Sequence, residues 1–338
     1  RPTIDKKEVA RSKRGLNLKA FLVRRAFSSI ITFIAIITIV FLLARMTGDP
    51  LAELENDPRI SPATIAAIKA SFGLDKPLYH QYLSYLLNLF KGDFGYSFHY
   101  KEPVMSVIIQ KLPYTLALLV PSITLSNYLA YLIGIEIGWR RGSKLDSVFM
   151  SISMFIRSTP YFWLAIVFLY IFSVVLGVTP LFGAVTPGKR FEWSPDWLAD
   201  YIWHYILPFT VLTLRGFLAE LIYVRNVTVD VLAEDFVVTA VAKGLPDKYV
   251  KRRYVARNAM LPIVTVLGMR YAFIIDGAIL TETVFSYPGT GRLVYEAIFN
   301  RDFWLLQGAV VIIAASVIIV NFVIDVLYSY LDPRVRYR

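Results

Sequence analysis

Cysteine is absent from all 338 residues, which excludes disulfides, thiolate-bound zinc and thiol nucleophiles. Histidine is scarce: His80, His99 and His204 show no metal-ligand spacing and read as surface or interfacial positions, so no metal site is expected. There is no HExxH box and no GxSxG elbow. An intramembrane protease needs a nucleophile beside its base, or two aspartates, at membrane depth, and Asp276 and Asp325 stand too near the ends of apolar runs to pair. The stretch GAVTPGKR at 183–190 has the spacing of a phosphate-binding loop, but Arg190 stands where Ser or Thr would hold magnesium, and Pro187 removes an amide. It follows no strand and opens no helix, so the chain itself is expected to hold no cofactor and to hydrolyse no ATP. Glutamine is also rare, at three, a paucity in keeping with a heat-loving source.

Apolar residues, by contrast, make up 56% of the chain and mean hydropathy is +0.54. Such a chain would aggregate if its apolar surface met water, so it belongs in a bilayer. Six runs approach or exceed the roughly 20 residues a helix needs to cross the hydrocarbon: 26–44, 112–139, 148–176, 206–231, 261–281 and 303–328. Barrel strands would be about 10 residues and alternating. The expected fold is therefore an all-α, multi-pass integral protein of the cytoplasmic (inner) membrane with six transmembrane helices.

Basic residues set the orientation. With both termini cytoplasmic, segments 1–25, 140–146, 225–260 and 331–338 hold 22 of the 36 Lys and Arg. The segments then outside, 45–111, 177–205 and 282–302, hold 11, as the positive-inside rule demands. The net charge of +11 is thereby explained by topology and anionic lipid, with no nucleic-acid partner. The first run follows basic residues as a signal peptide does, but is too long for one and lacks a small-residue cleavage site. It reads as a retained first span, 26–44, behind a cytoplasmic segment 1–25. An extracytoplasmic subdomain, 45–111, follows, with helices expected from Ser61-Pro62 and over 78–90, where Tyr and Leu recur at helical spacing. Such a subdomain either packs against the bundle or offers a surface for a docking protein. The remainder, 112–338, is the core with five spans.

One polar, basic segment between two apolar runs, 235–262, is punctuated like a pair of short helices. Asp235 to Lys243 has no breaker, Gly244 suits the left-handed residue past a helix end, and Pro246 suits the first turn of the next. The second helix is expected to run toward Pro262 at the mouth of a span. Small residues at Ala240, Ala242 and Gly244 would let a partner backbone approach, while Lys243, Lys248, Lys251, Arg252 and Arg253 keep the segment out of the bilayer. Three further cations, Arg157, Arg215 and Arg270, each fall about 15 Å into the hydrocarbon at about 1.5 Å per residue. A central arginine costs at least about 2.5 kcal/mol, so these should face a partner or a wet cavity. They either pair with Glu136, Glu220 or Asp276, or line a path for cargo.

Ordered motifs along nearly the whole chain resemble the first membrane subunit of the oligopeptide/dipeptide class of ABC importers. They are TGDP at 47–50, GLDKPLYHQYL at 73–83, GDFGYSF at 92–98, LPYTL at 112–116, RRGSKLD at 140–146 and TPYFWLA at 159–165. EDFVVTAVAKGL at 234–245, RNAMLPIVT at 257–265, ETVFSYPGTGRL at 282–293 and NFVIDVLYSYLDPRVRY at 321–337 complete the set. The resemblance implies a type I importer permease fold forming half of a pore. It also implies a second homologous permease, two cytoplasmic ATPases that bind ATP and magnesium, and an extracytoplasmic substrate-binding protein. The segment 235–262 looks like the family's coupling segment, whose short helix docks on an ATPase. By that resemblance Asp235 stands near the helix start, and Thr239, Ala240, Ala242, Lys243 and Gly244 are contact residues. Ile222 departs from the family pattern, which would put an arginine there ahead of Arg225. The cargo implied is a di- or oligopeptide, with an oligosaccharide as the alternative. A membrane-embedded enzyme is disfavoured by the missing catalytic groups, and an ATP-independent channel by the coupling segment. Because no native cysteine interferes, a cysteine at Ser97 is predicted to react with an impermeant thiol reagent outside intact cells, and one at Lys248 to stay unlabelled; reversed labelling would overturn the orientation.

Overall fold

Apolar runs become long helices in the computed structural model, which describes residues 6–46, 61–71, 73–269 and 276–331. Arg270, the 47–50 motif and the basic residues 332–338 lie outside the described residues, as do the side chains of Asp276 and Asp325. The helices are α1 (Lys6–Met46), α2 (Pro62–Ser71), α3 (Leu78–Phe90), α4 (Val104–Trp139), α5 (Lys144–Ser158), α6 (Tyr161–Leu169), α7 (Pro195–Leu232), α8 (Asp235–Ala242), α9 (Asp247–Tyr249), α10 (Arg257–Met269), α11 (Asp276–Val284), α12 (Thr290–Phe299) and α13 (Phe303–Leu331). Strands β1 (Tyr96–Ser97) and β2 (Glu102–Pro103) pair antiparallel between α3 and α4, with Ser97 opposite Glu102.

Among the described residues four helical stretches are long and apolar enough to cross a membrane: Val23–Met46, Val104–Trp139, Pro195–Leu232 and Phe303–Val323. The run expected as one span over 148–176 is instead two helices, α5 and α6, meeting at 102°. Proline explains the break: Pro160 has no N–H to donate, and its ring holds the preceding Thr159 in an extended conformation (φ −79°, ψ 131°). Of the run over 261–281 the described residues fall in α10 and α11, and residues 270–275 lie outside the description. Helices also start earlier than the apolar runs. α4 begins at Val104 rather than 112, and α7 at Pro195 rather than 206, where Ser194 caps it by accepting from Trp197 N (3.2 Å).

The chain divides into two units, Arg1–Pro113 with Leu293–Arg338, and Tyr114–Arg292. In the first, α1 packs along α13, and Ile37, Leu89 and Val311 form a buried cluster. Phe41 stacks on Tyr85 with centroids 5.5 Å apart, and Thr38 Oγ1 shares a 2.6 Å hydrogen bond with Tyr82 OH, which fixes α3 to α1. The helices over Pro62–Ser71 and Leu78–Phe90 form where Ser61-Pro62 and the Tyr and Leu spacing placed them; Thr64 N donates to Ser61 Oγ (3.1 Å). Asp302 ties the hairpin to the start of α13: it accepts from Ser97 Oγ (2.6 Å), His99 N (3.2 Å) and Leu305 N (3.1 Å). Ser97 is therefore fully buried, and the outside probe of orientation belongs at exposed Lys91 instead.

The second unit holds the larger core. α7 runs through it, packed on α5, α6 and α10. α4 approaches α7 very closely: a Cβ at Gly134 would fall 2.7 Å from Val224, and one at Gly138 would fall 2.7 Å from Thr228. Lipid gives no hydrophobic drive for helices to associate, so small residues that bring backbones together are how such pairs gain packing. Ser126 Oγ adds a bond to Thr213 O (2.9 Å) across the same pair. A second cluster surrounds fully buried Tyr287, whose hydroxyl meets Tyr201 OH at 2.8 Å. Beside it Glu282 is buried, accepting from Thr115 Oγ1 (2.6 Å) and Arg292 N (3.0 Å), so the ETVFSYPGTGRL stretch folds around its own carboxylate. The 183–190 stretch has a structural part: Gly183 N donates to Phe285 O (3.0 Å), Thr186 bonds Asp200, and Lys189 pairs with Asp196 (2.6 Å). His80 and His99 are exposed as expected, but His204 is buried in α7, its Nδ1 2.9 Å from Asp200 O, because the helix extends eleven residues upstream of the apolar run.

Candidate coupling surface

The 235–262 segment builds its own small core before offering a surface. α8 ends at Ala242, and Gly244 takes φ +74°, the left-handed value a side chain resists. Gly244 N donates to Val241 O (2.9 Å), which closes the helix end. Pro246 then stands just before α9 rather than in its first turn, and wide π-type turns over Val250–Ala256 run straight into α10. Pro262, expected at a span's mouth, lies inside that continuous helix, with its carbonyl accepting from Tyr223 OH (3.1 Å).

Val237, Ala240, Val250 and Val255 are buried together against Trp139 at the end of α4 and Val231 and Leu232 at the end of α7. Ala240, expected on the partner-facing side, is 2% exposed and belongs to this cluster. Its smallness serves packing inside the chain. Asp235, Thr239, Ala242, Lys243 and Gly244 are exposed, as are Phe236, Val238, Val241 and Tyr249. The last four escaped the sequence reading, which weighed small and charged residues; an apolar residue left outward on a helix with Val237 and Ala240 turned inward was the available signal.

Charges fasten the segment to the bundle. Lys251 Nζ lies 2.6 Å from Glu136 Oε2 on α4, and the other carboxylate oxygen meets Arg140 Nε at 2.7 Å. Nearby, Arg225 on α7 grips Asp146 at the start of α5 through Nε (3.0 Å) and an Nη (2.7 Å), and Gly142 N donates to the same carboxylate (2.9 Å). That bidentate pair occupies Arg225 within the chain. The Lys251 pair is partly solvated, and such pairs contribute roughly 0–1 kcal/mol. Burying each Val of the cluster contributes about 1.5–3 kcal/mol. Apolar packing thus supplies the strength of the attachment, and the ion pair its register.

The arginines expected at depth separate. Arg157 is exposed in the last turn of α5, at the break before Pro160. Arg215 is half-buried midway along α7, with its guanidinium 5.0 Å above the ring of Tyr161 and its Nε buried without a hydrogen bond. Neither is in an ion pair of the described residues, and Glu136, one of the partners considered for them, is taken by Lys251 and Arg140. No group of three or more His, Asp or Glu side chains among the described residues could hold a metal.

Residues 130–337 match the family described as "Binding-protein-dependent transport system inner membrane component", and residues 18–119 match the corresponding N-terminal family, so the chain belongs to this family. It is a multi-pass protein of the cytoplasmic membrane and a permease subunit rather than an enzyme, with the ATPase a separate subunit. It is 35% identical to the di/tripeptide transport system permease protein DppB of Pseudomonas aeruginosa (strain UCBPP-PA14) over 333 residues, covering 94% of this chain and 99% of that one. The dipeptide permease DppB of Escherichia coli K12 is 34% identical over 335 residues, and the glutathione permease GsiC of the same strain 34% over 321; each match covers 94% of this chain and 99% of the relative.

The attachment predicts a charge-swap result. In the assembled transporter, Lys251→Glu should lower substrate-stimulated ATP hydrolysis on the order of five-fold, the equivalent of about 1 kcal/mol. Adding Glu136→Lys should recover most of it; a double variant no better than the single one would show that the pair does not set the register of the segment.

Proposed function

We propose that this chain forms half of the translocation pore of an ATP-driven importer of di- or oligopeptides. A second homologous permease would supply the other half, two cytoplasmic ATPases would hold ATP and magnesium, and an extracytoplasmic binding protein would deliver the cargo. The observation that carries the reading is the end-to-end similarity to di/tripeptide, dipeptide and glutathione permeases, and it favours peptide over oligosaccharide cargo. Six spans and cytoplasmic termini are part of the proposal: the charge distribution supports them, with the α5–α6 pair and the α10–α11 pair each counted once. Residues 1–25 then lie in the cytoplasm, 45–111 outside, and 112–338 form the core.

In this arrangement the exposed face of α8, with Asp235, Thr239, Ala242, Lys243 and Gly244, seats on an ATPase. Phe236, Val238 and Val241 add apolar contact, and Ala240 holds the helix to its platform. Closure of the ATPases on ATP moves the seated helix, and the platform passes that movement to α4 and α7. Arg157, Arg215 and Arg270 remain the candidates for meeting cargo along the path. Arg215 has the clearest claim, because a guanidinium with a buried, unsatisfied Nε suits a peptide carboxylate.

Reconstitution with the cognate ATPases and binding protein tests both cargo and coupling. Labelled dipeptide uptake is predicted, lowered by Arg215→Gln with assembly intact; uptake of a disaccharide and none of peptide would reverse the cargo assignment. Gly244→Val should insert normally yet lose peptide-stimulated ATP hydrolysis, since no atom crowds that position within 4 Å and the penalty lies in the φ of +74°. Unchanged stimulation would remove Gly244 from the coupling surface.

A further inference from the structure

Beyond Gly244 the helical stretch from Asp247 to Met269 turns outward a face with two chemically different halves. Its first half borders an open cleft of about 600 Å³ lined by Pro246, Lys248, Tyr249, Arg252, Arg253 and Arg257. None of the four cations enters an ion pair in the described structure. Four uncompensated positive charges around one void repel one another, and a bound anion relieves that repulsion. The second half is apolar. Arg253, Arg257, Met260 and Val264 fall at steps of four, three and four residues, one stripe of a helix, and all are exposed.

Depth distinguishes among anions. Leu261 begins an apolar run, so at about 1.5 Å per residue Arg257 sits ~6 Å and Arg253 ~12 Å before it along the axis. The polar layer on each side of the hydrocarbon is roughly 5–7 Å thick. Arg257 therefore lies at headgroup depth, and Arg253 lies just beyond it, within reach for a long side chain. A free phosphate compound would satisfy the cations and leave the Met260–Val264 strip unused. An acidic protein surface would do the same.

We propose that the cleft binds the phosphate of an anionic phospholipid, with Arg253 and Arg257 about the headgroup and an acyl chain along Met260 and Val264. Guanidinium groups suit phosphate oxygens because they donate in a planar fork. The site requires that α10 enter the membrane, and does not depend on the cargo or on α8 docking to an ATPase. A lipid held there would brace the base of α10 where the coupling segment joins it.

The test uses the assembled transporter, purified with its ATPases, delipidated in detergent and exposed to phosphatidylglycerol, phosphatidylcholine or inorganic phosphate, with retained lipid counted by native mass spectrometry. Wild type is expected to retain phosphatidylglycerol several-fold over phosphatidylcholine and to keep it in the presence of equimolar phosphate. The pair Arg253→Gln and Arg257→Gln should lose that preference with the ATPases still bound, and Met260→Asn, which keeps every cation, should weaken retention of both lipids. Equal preference in wild type and the double variant would overturn the proposal. Displacement by equimolar phosphate would overturn the lipid as the source of the anion, and loss of the ATPases from the double variant with lipid retention unchanged would assign the cleft to protein contact instead.

Discussion

The close approach of α4 to α7 at Gly134 and Gly138 is the constraint on which the rest of the second unit depends. With no Cβ at either position, the two helices run close enough for their ends to form one platform: Glu136 and Trp139 from α4, Val231 and Leu232 from α7. Val237 and Ala240 reach back into this platform from α8, and Val250 and Val255 from the turns before α10, while Lys251 sets the register against Glu136. A larger residue at Gly138 would meet Thr228 and part the helix ends before any effect on α8 itself.

The platform also gives the two kinds of residue in the segment distinct work. Inward residues are apolar and small because they share a core with Trp139; outward ones are polar, small or singly apolar, and form the face proposed to seat on an ATPase. Proline punctuates the rest. Pro160 breaks one apolar run into α5 and α6 at 102°, and Arg225 clamps the start of α5 through Asp146, so the broken pair is anchored at the same end of the unit as the coupling segment. A bidentate, largely buried pair of this kind is costly to sever, about 3–5 kcal/mol when one partner is removed.

Much of this was legible in the residues. Breakers and caps placed α2, α3 and α8 closely, since Ser61-Pro62, the Tyr and Leu spacing of 78–90, and Gly244 act locally and need no knowledge of neighbours. Hydropathy found the long helices but misjudged where some begin, because a helix continues past its apolar stretch where a cap such as Ser194 supports it. Hydropathy also gave 148–176 as one unbroken run, although Thr159-Pro160 carried the bend between α5 and α6. The burial of Ala240 and His204 depends on tertiary packing that period alone does not reveal. Gly134 and Gly138, four residues apart in an apolar run, were a signal for helix contact left unread.

The central claim is that the coupling segment and the bundle move as one body. Because the chain has no cysteine, spin labels can be placed at Thr239 on the exposed face of α8 and at exposed Arg141 beyond the end of α4. Their separation, measured in the assembled transporter without nucleotide and again with ATP trapped, is predicted to give the same distance distribution in both states. A distribution that shifts beyond its own width between the two states would show α8 sliding on the platform, and would contradict the account.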